Sequence, residues 1–510
     1  MTDEDMRRPS FFFIALAAVP VGLFVALSNE GCTEKTEMPS DPPLVIGATV
    51  DLTKQKDFGA GSQRVLRVAE QQLNAVGGIL GRRVVIDIRD DGGDNKSIGG
   101  IGDEFIRKKV AGFIGPSTTE ALEVIHGPFR GAQIPILSPF TTSPRVPLLQ
   151  DGRDRYVFRT ACAVEYQSRA IARYALGATF APPGSVTPPV DAGTDSGPQD
   201  AGTDAKADGG KTDAGTSNDA GSGTPDGGTT TPPGPFKACT KMAAIYAEDA
   251  PGAGSSTIKS LVSEYSQFGG TVKEFIVKAG AASYEAEVAS VIAAAKAGEV
   301  ECQTMLLFPA DGGKWMREFH RVTGSDPAFS ADRFMSFGFI RFYQQGFIEA
   351  GRVDPKNTSE VSQVDGVLGS ACRQERPDSS EWTRFNALYK AQYPDLPDAS
   401  SSLPSPIPQI YDSVILLALA VEKAGGLDNR EAVRDALYSI SSPPGTAYGP
   451  GQLAEALDAV RLGRDIDYVG ASGSFDLDDK GDTALEVIMW KVQGNGFITL
   501  PGLDPAQLRQ

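Results

Sequence analysis

The apolar run Leu44-Val45-Ile46-Gly47-Ala48-Thr49-Val50 is nearly continuous, as in a parallel strand covered on both faces. After a polar turn the period changes. Val65, Leu66, Ala69 and Leu73 fall on one face of a helix predicted over about 61–74. Asn74-Ala75-Val76-Gly77-Gly78 then supplies glycine for the left-handed closure of that helix. A second apolar run, Arg83-Val84-Val85-Ile86-Asp87-Ile88, leads to Asp90-Asp91. Strand, helix and strand in this order predict a βαβ unit onto which the rest of the chain is built.

The alternation continues. Helices are predicted over 96–108 and 120–130, and strands over 110–114, 135–137 and 156–160. A second body resumes with a strand at 241–246, followed by strands near 271–277, 304–308 and 367–370 and helices near 284–296 and 314–323. Helices near 381–393 and 410–423 read as a return to the first body, and segments 470–476 and 485–492 finish the chain. Alternating βα units predict parallel sheets with helices on both faces, so the fold class is α/β and doubly wound. At 510 residues the chain exceeds one ordinary core, and two or more packed bodies are expected.

In such sheets ligands bind beyond the carboxyl ends of the strands. Two hydroxyl-rich loops, 115–119 and 138–144, fall there. Ser117, Thr118 and Thr119 stand at a helix N-terminus, where free N–H groups and the helix dipole favour a carboxylate. Thr141 and Thr142 add hydroxyl donors from the next loop. The competing reading is helix capping, the commonest role of Ser and Thr.

Composition narrows the chemistry. A net charge of −17 counts against nucleic acid as a partner. The two histidines, His126 and His320, leave little material for a histidine metal site or a Ser-His-Asp hydrolase, and both read as ordinary side chains. With no phosphate loop and no nucleophile–base pair, no enzyme activity, cofactor or metal is expected.

Arg7-Arg8 followed by the apolar run from Phe11 to Leu27 reads as an export signal over residues 1–31, with Met6 a more normal start than the acidic Thr2-Asp3-Glu4-Asp5. Arg7-Arg8-Pro9-Ser10-Phe11-Phe12 loosely resembles a twin-arginine signal. Leu27-Ser28-Asn29-Glu30-Gly31-Cys32 resembles a bacterial lipobox, which makes Cys32 a lipidation site and 32–43 a tether. Within 181–236, Asp-Ala-Gly recurs at 191, 200, 213 and 219 with almost no apolar content, so a disordered insertion is expected there. The four cysteines beyond Cys32 suit an oxidising compartment and two disulfides, with three connectivities open. Cys239 and Cys302 each precede a strand of the second body and pair if those strands are neighbours, leaving Cys162 with Cys372.

Several segments together resemble a known family. These are Ile46-Gly47 with Leu52-Thr53, Phe58-Gly59, Leu73-Asn74-Ala75-Val76-Gly77-Gly78-Ile79-Leu80-Gly81 and Asp90-Asp91. They continue with Phe113-Ile114-Gly115-Pro116-Ser117, Ile134-Pro135-Ile136-Leu137-Ser138-Pro139, Thr141-Thr142 and Phe158-Arg159-Thr160. In this order they resemble type I periplasmic solute-binding proteins of the leucine/isoleucine/valine-binding branch. The resemblance implies two αβ lobes joined by a three-strand hinge, with crossings near Ala161, Cys372 and Gly470. Lobe 1 is then 44–161 with 373–469, and lobe 2 is 162–372 with 470–510. It implies that Phe58 flanks a ligand, and that the loop around Thr119 with Phe140, Thr141 and Thr142 holds an amino acid's carboxylate and ammonium. Lobe 2 departs from the pattern. Pro251 stands where the family commonly has a tyrosine, Pro309 and Ala310 fall near another aromatic position, and Gly338 and Phe339 lie where an acid often meets the ammonium, with Asp311 as a substitute.

The implied function is an extracytoplasmic, lipid-anchored, non-enzymatic protein that captures a small polar ligand, an amino acid or related carboxylate, for an ABC importer. The alternative is a ligand sensor acting through a separate membrane signalling partner.

Overall fold

A computed structural model describes residues 41–54, 56–151, 154–178, 238–247, 255–373, 379–397, 407–504 and 507–508. The expected signal segment, Cys32, the insertion 181–236 and Pro251 lie outside these residues. The chain opens with β1 (Leu44–Val50), α1 (Lys56–Ala75), β2 (Val84–Asp90), α2 (Ile98–Arg107), β3 (Phe113–Ile114), α3 (Thr119–Gly131), β4 (Ile136–Ser138) and β5 (Val157–Arg159). These strands form one parallel sheet in the order β2-β1-β3-β4-β5. The predicted stripe on α1 is real: Val65, Leu66, Ala69 and Leu73 are all buried against this sheet.

The chain then builds a second sheet. Its elements are α4 (Val164–Ala175), β6 (Lys241–Ala247), α5 (Ser255–Gln267), β7 (Thr271–Val277), α6 (Glu285–Lys296), β8 (Cys302–Leu306), α7 (Pro309–Thr323), β9 (Ser336–Gly338), α8 (Gln345–Ala350) and β10 (Leu368–Cys372). It returns to the first body through α9 (Ser380–Gln392), α10 (Ile407–Ala424), α11 (Arg430–Ile440), β11 (Thr446–Tyr448), α12 (Leu453–Arg461), β12 (Ile466–Gly470) and β13 (Gly473–Ser474). Finally β14 (Val487–Gln493) and β15 (Gly496–Leu503) add antiparallel to the second sheet, whose order is β15-β14-β10-β9-β8-β6-β7. Each sheet carries helices on both faces, giving two separate lobes with two cores each. α10 is apolar almost all round and is buried between α1, α11 and α12, as a helix without a solvent face must be.

Three passages join the lobes. The first follows β5 and the second follows β10, whose continuation at 374–378 is outside the described residues. The third runs later than Gly470, where the resemblance put it. Phe475 and Leu477 still pack in the first lobe, and Leu485 is the first residue in the core of the second. The turn at 470–472 is instead fastened inside lobe 1 by Asp412 of α10. The carboxylate accepts bonds from Tyr468 Oη (2.8 Å), Ala471 N (2.9 Å), Ser472 N (2.9 Å) and Ser472 Oγ (2.7 Å). A Cβ on Gly470 would come within 2.4 Å of that carboxyl carbon, so only glycine fits there.

The first and third passages meet in a buried ion pair. Arg159 Nε and Nη2 donate to the two oxygens of Asp482 at 2.9 and 2.5 Å, and Nη1 donates to the carbonyls of Thr142 and Ser143. The backbone joins in: Arg159 N–H donates to Gly481 O, and Thr483 N–H donates to Arg159 O. Burial pushes the Asp482 carboxyl up, while the guanidinium beside it pulls the other way. Cys162 and Cys372 stand at disulfide distance (Cα–Cα 6.0 Å) and tie the first passage to the start of the second. Cys239 and Cys302, also 6.0 Å apart, sit at the start of the neighbouring strands β6 and β8.

Two outcomes follow for stability. Arg159→Leu leaves the Asp482 carboxylate buried without its counter-ion and should cost about 3–5 kcal/mol in denaturant unfolding; a loss below 1 kcal/mol would show the pair to be dispensable. Burial pushes Asp412 up to about 6 against the four bonds that lower it. Between pH ~4 and ~6 the folded state therefore holds a proton that the unfolded state has released, so stability falls as pH rises through this window. In Asp412→Asn, melting temperature measured from pH 4 to 7 should lose that downward slope.

Candidate functional site

The carboxyl ends of both sheets face one region beside the hinge. A cavity of about 40 Å³ lies there, closed on the first-lobe side by Thr142 and on the second by Val164 and Gln167 of α4 and Thr257 of α5. Met305 and Leu307 at the end of β8, with Phe339 and Phe342 after β9, complete it. Its described lining includes no charged side chain. The volume holds about one or two waters, whereas small-molecule pockets measure about 300–1,000 Å³. A whole solute does not fit within this volume as it stands.

The structure sorts the expected ligand residues into engaged and available groups. Ser117 is engaged: its N–H and hydroxyl donate to the two oxygens of Asp91 at 3.0 and 2.5 Å, and Asp91 also accepts from Gly93 N. The chain thus supplies its own carboxylate at the point where an external one was expected, and Ser117 is not presented to a ligand. Thr118 is the N-cap of α3, accepting the Ala121 N–H at 3.2 Å, so the capping reading holds at this position. The Thr141 hydroxyl is buried and shares a 2.5 Å bond with Ser138. Thr119 and Thr142 have hydroxyls with no side-chain bond among the described residues, and Thr142 lines the cavity. Phe58, in the first turn of α1, meets Phe140 edge to face with ring centroids 5.6 Å apart. The two rings form an aromatic shelf at the end of the first sheet.

Asp311 corrects the second-lobe expectation. It lies in the first turn of α7, where its carboxylate accepts the Gly280 N–H at 3.0 Å, pinning the connection from β7 to α6. It does not line the cavity. Phe339 does, so at the position where the resemblance calls for an acid the wall is aromatic. Burial lowers the His320 basicity and no role in the site attaches to it. Gln167 and Thr257 were not anticipated. The signal for Gln167 was present: Val164, Gln167, Ile171 and Ala175 form one helical stripe, and a polar residue on an apolar stripe is the informative exception.

Residues 43–226 match the model of a family described as periplasmic binding protein. A comparison with curated protein sequences finds no match. Among solved structures the chain is similar to a leucine binding protein from Thermotoga maritima, at 15% identity and a TM-score of 0.59, covering 91% of this chain and 99% of that one. It is similar to a branched-chain amino acid transporter substrate binding protein from Streptococcus pneumoniae in complex with isoleucine (15% identity, TM-score 0.55, 90% and 100% covered). A solute binding protein of an ABC transporter from R. palustris, in complex with benzoate, shares 14% identity with a TM-score of 0.56 over 91% and 98% of the two chains. The chain thus matches the periplasmic binding protein family by sequence over residues 43–226 and shares the fold of type I periplasmic binding proteins throughout the described body.

Proposed function

We propose that this protein captures a small carboxylate with an apolar body, an amino acid or a related acid, between its two lobes outside the cytoplasm and hands it to an ABC importer. The observation that carries this reading is the cavity itself, which lies beyond the carboxyl ends of β8 and β9 and is lined by second-lobe residues together with Thr142 of the first lobe. The second-lobe wall of Val164, Met305, Leu307, Phe339 and Phe342 favours an apolar body. The first lobe offers the hydroxyls of Thr119 and Thr142 and the aromatic shelf of Phe58 and Phe140. Proteins of similar fold are a leucine binding protein and two others in complex with isoleucine and with benzoate, all carboxylates with apolar bodies.

The work is binding and not catalysis. Closure of the lobes about the three passages removes the ligand from water, which strengthens each polar contact made to it. Lipidation at Cys32 would keep the protein beside its permease. No helix among the described residues is long and apolar enough to cross a membrane.

A thermal-shift screen of the mature protein against amino acids, small amides, aliphatic acids and aromatic acids tests this. A ligand at about 100 times its dissociation constant stabilises by about 2.7 kcal/mol, raising the midpoint by a few degrees. Folded protein that responds to nothing in the panel would overturn the reading. For the ligand found, Thr119→Ala and Thr142→Ala should each weaken affinity about tenfold by calorimetry. Unchanged affinity in the double variant would remove the two hydroxyls from the site.

A further inference from the structure

One polar group in the cavity has its orientation decided by the backbone. Gln167 is 1% exposed. Its Oε1 accepts the Ile340 N–H at 3.2 Å. A backbone N–H only donates, so the amide cannot be turned round, and the other end of the side chain must be the Nε2 donor. Nε2 has no hydrogen-bond partner among the described residues, and Gln167 lines the cavity. A buried amide N–H without a protein acceptor calls for one from whatever occupies the space beside it. Buried polar groups are almost always satisfied, and an exception on a cavity wall points to what enters that cavity.

The surroundings agree on the missing partner. Thr257, on the same wall, lies in the first turn of α5, where unpaired N–H groups and the helix dipole favour an acceptor. Among the described residues no carboxylate lines the cavity, and Asp311 is held by Gly280. An ammonium group on this side would meet no carboxylate among the described lining residues.

We propose that Gln167 Nε2 is the second lobe's hydrogen-bond donor to the bound solute, and that the solute turns a carbonyl or carboxylate oxygen, not an ammonium group, toward it. This rests on the solute-binding reading above and names the chemistry of its second contact. Gln167 is placed for it: its carbonyl accepts the Ser370 hydroxyl of β10 at 3.0 Å, so the residue is fixed to the second sheet and moves with that lobe. The bond to a solute resting on the first lobe then forms as the lobes close.

The test uses probes that differ only at one end. Pentanedioate and 5-aminopentanoate share a carboxylate and chain length, and carry a second carboxylate or an ammonium at the far end. By calorimetry on the mature protein, pentanedioate should bind at least about tenfold more tightly. Gln167→Glu keeps an oxygen for Ile340 and replaces the donor by an acceptor, so it should reverse that preference. Gln167→Met, neutral and of similar length, should weaken pentanedioate about tenfold and leave 5-aminopentanoate unchanged, which covers the case of a Glu variant that folds poorly. Wild-type preference for 5-aminopentanoate, or a ratio unmoved in both variants, overturns the assignment. Binding of other acids in the screen but of neither probe also overturns it. Silence from every compound overturns the solute-binding reading and this inference with it.

Discussion

The buried pair between Arg159 and Asp482 is the constraint around which the two lobes are arranged. One guanidinium ends the first sheet, holds the carbonyls of the Thr142–Ser143 loop and meets a carboxylate more than three hundred residues later in the chain. Charges buried so deeply are tolerated only when every donor and acceptor has a partner. The geometry that satisfies Arg159 therefore also sets the loop that lines the cavity and the course of the third passage. Glu165, 3.6 Å away and pushed up by burial, places a further carboxyl at the same point. The passages between the lobes and the cavity wall share these atoms, so the position of Thr142 is tied to the route of the chain between lobes.

The site divides its work unevenly. The first lobe carries hydroxyls and an aromatic shelf over a floor whose negative charge, Asp91, is already neutralised by the chain's own N–H groups. The second lobe carries an apolar wall broken by Gln167 and Thr257. An apolar wall discriminates weakly between bodies of similar size, and a buried donor discriminates strongly between ligand ends. In the proposed reading, selectivity for chemical class belongs to the polar groups, and the wall sets volume.

Much of the fold was legible because it rests on local pattern. The strand at 44–50 and the stripe Val65, Leu66, Ala69 and Leu73 need no tertiary information, and α10 announces burial by its apolar surface alone. The start of α7 was hidden. Gly312 and Gly313 depress helix propensity in its first turns, yet they are required there, because a Cβ at either would strike Phe342 or Ala350 of the adjoining segment. A helix read from Lys314 leaves Asp311 in a loop facing a ligand; a helix from Pro309 turns it onto Gly280. Ser117 was misread for a different reason. Its partner Asp91 is 26 residues away, and only the parallel pairing of β2, β1 and β3 brings the two loops together. Hydroxyls at strand ends can be located from sequence, but which of them are already occupied cannot.

The chain leaves the second lobe after α4 and re-enters it at β6, and the two ends are in contact. Cys239 N–H donates to Ala175 O at 2.8 Å, and the Cys239–Cys302 pair fastens the return point to the next strand. These positions lie at the amino ends of the strands, the opposite pole of the lobe from the cavity. The two described ends of this part of the chain therefore meet at one point of the lobe. Such a junction is a natural graft point. A fluorescent or affinity module joined between these two ends would enter and leave the lobe at one point, at the amino ends of its strands.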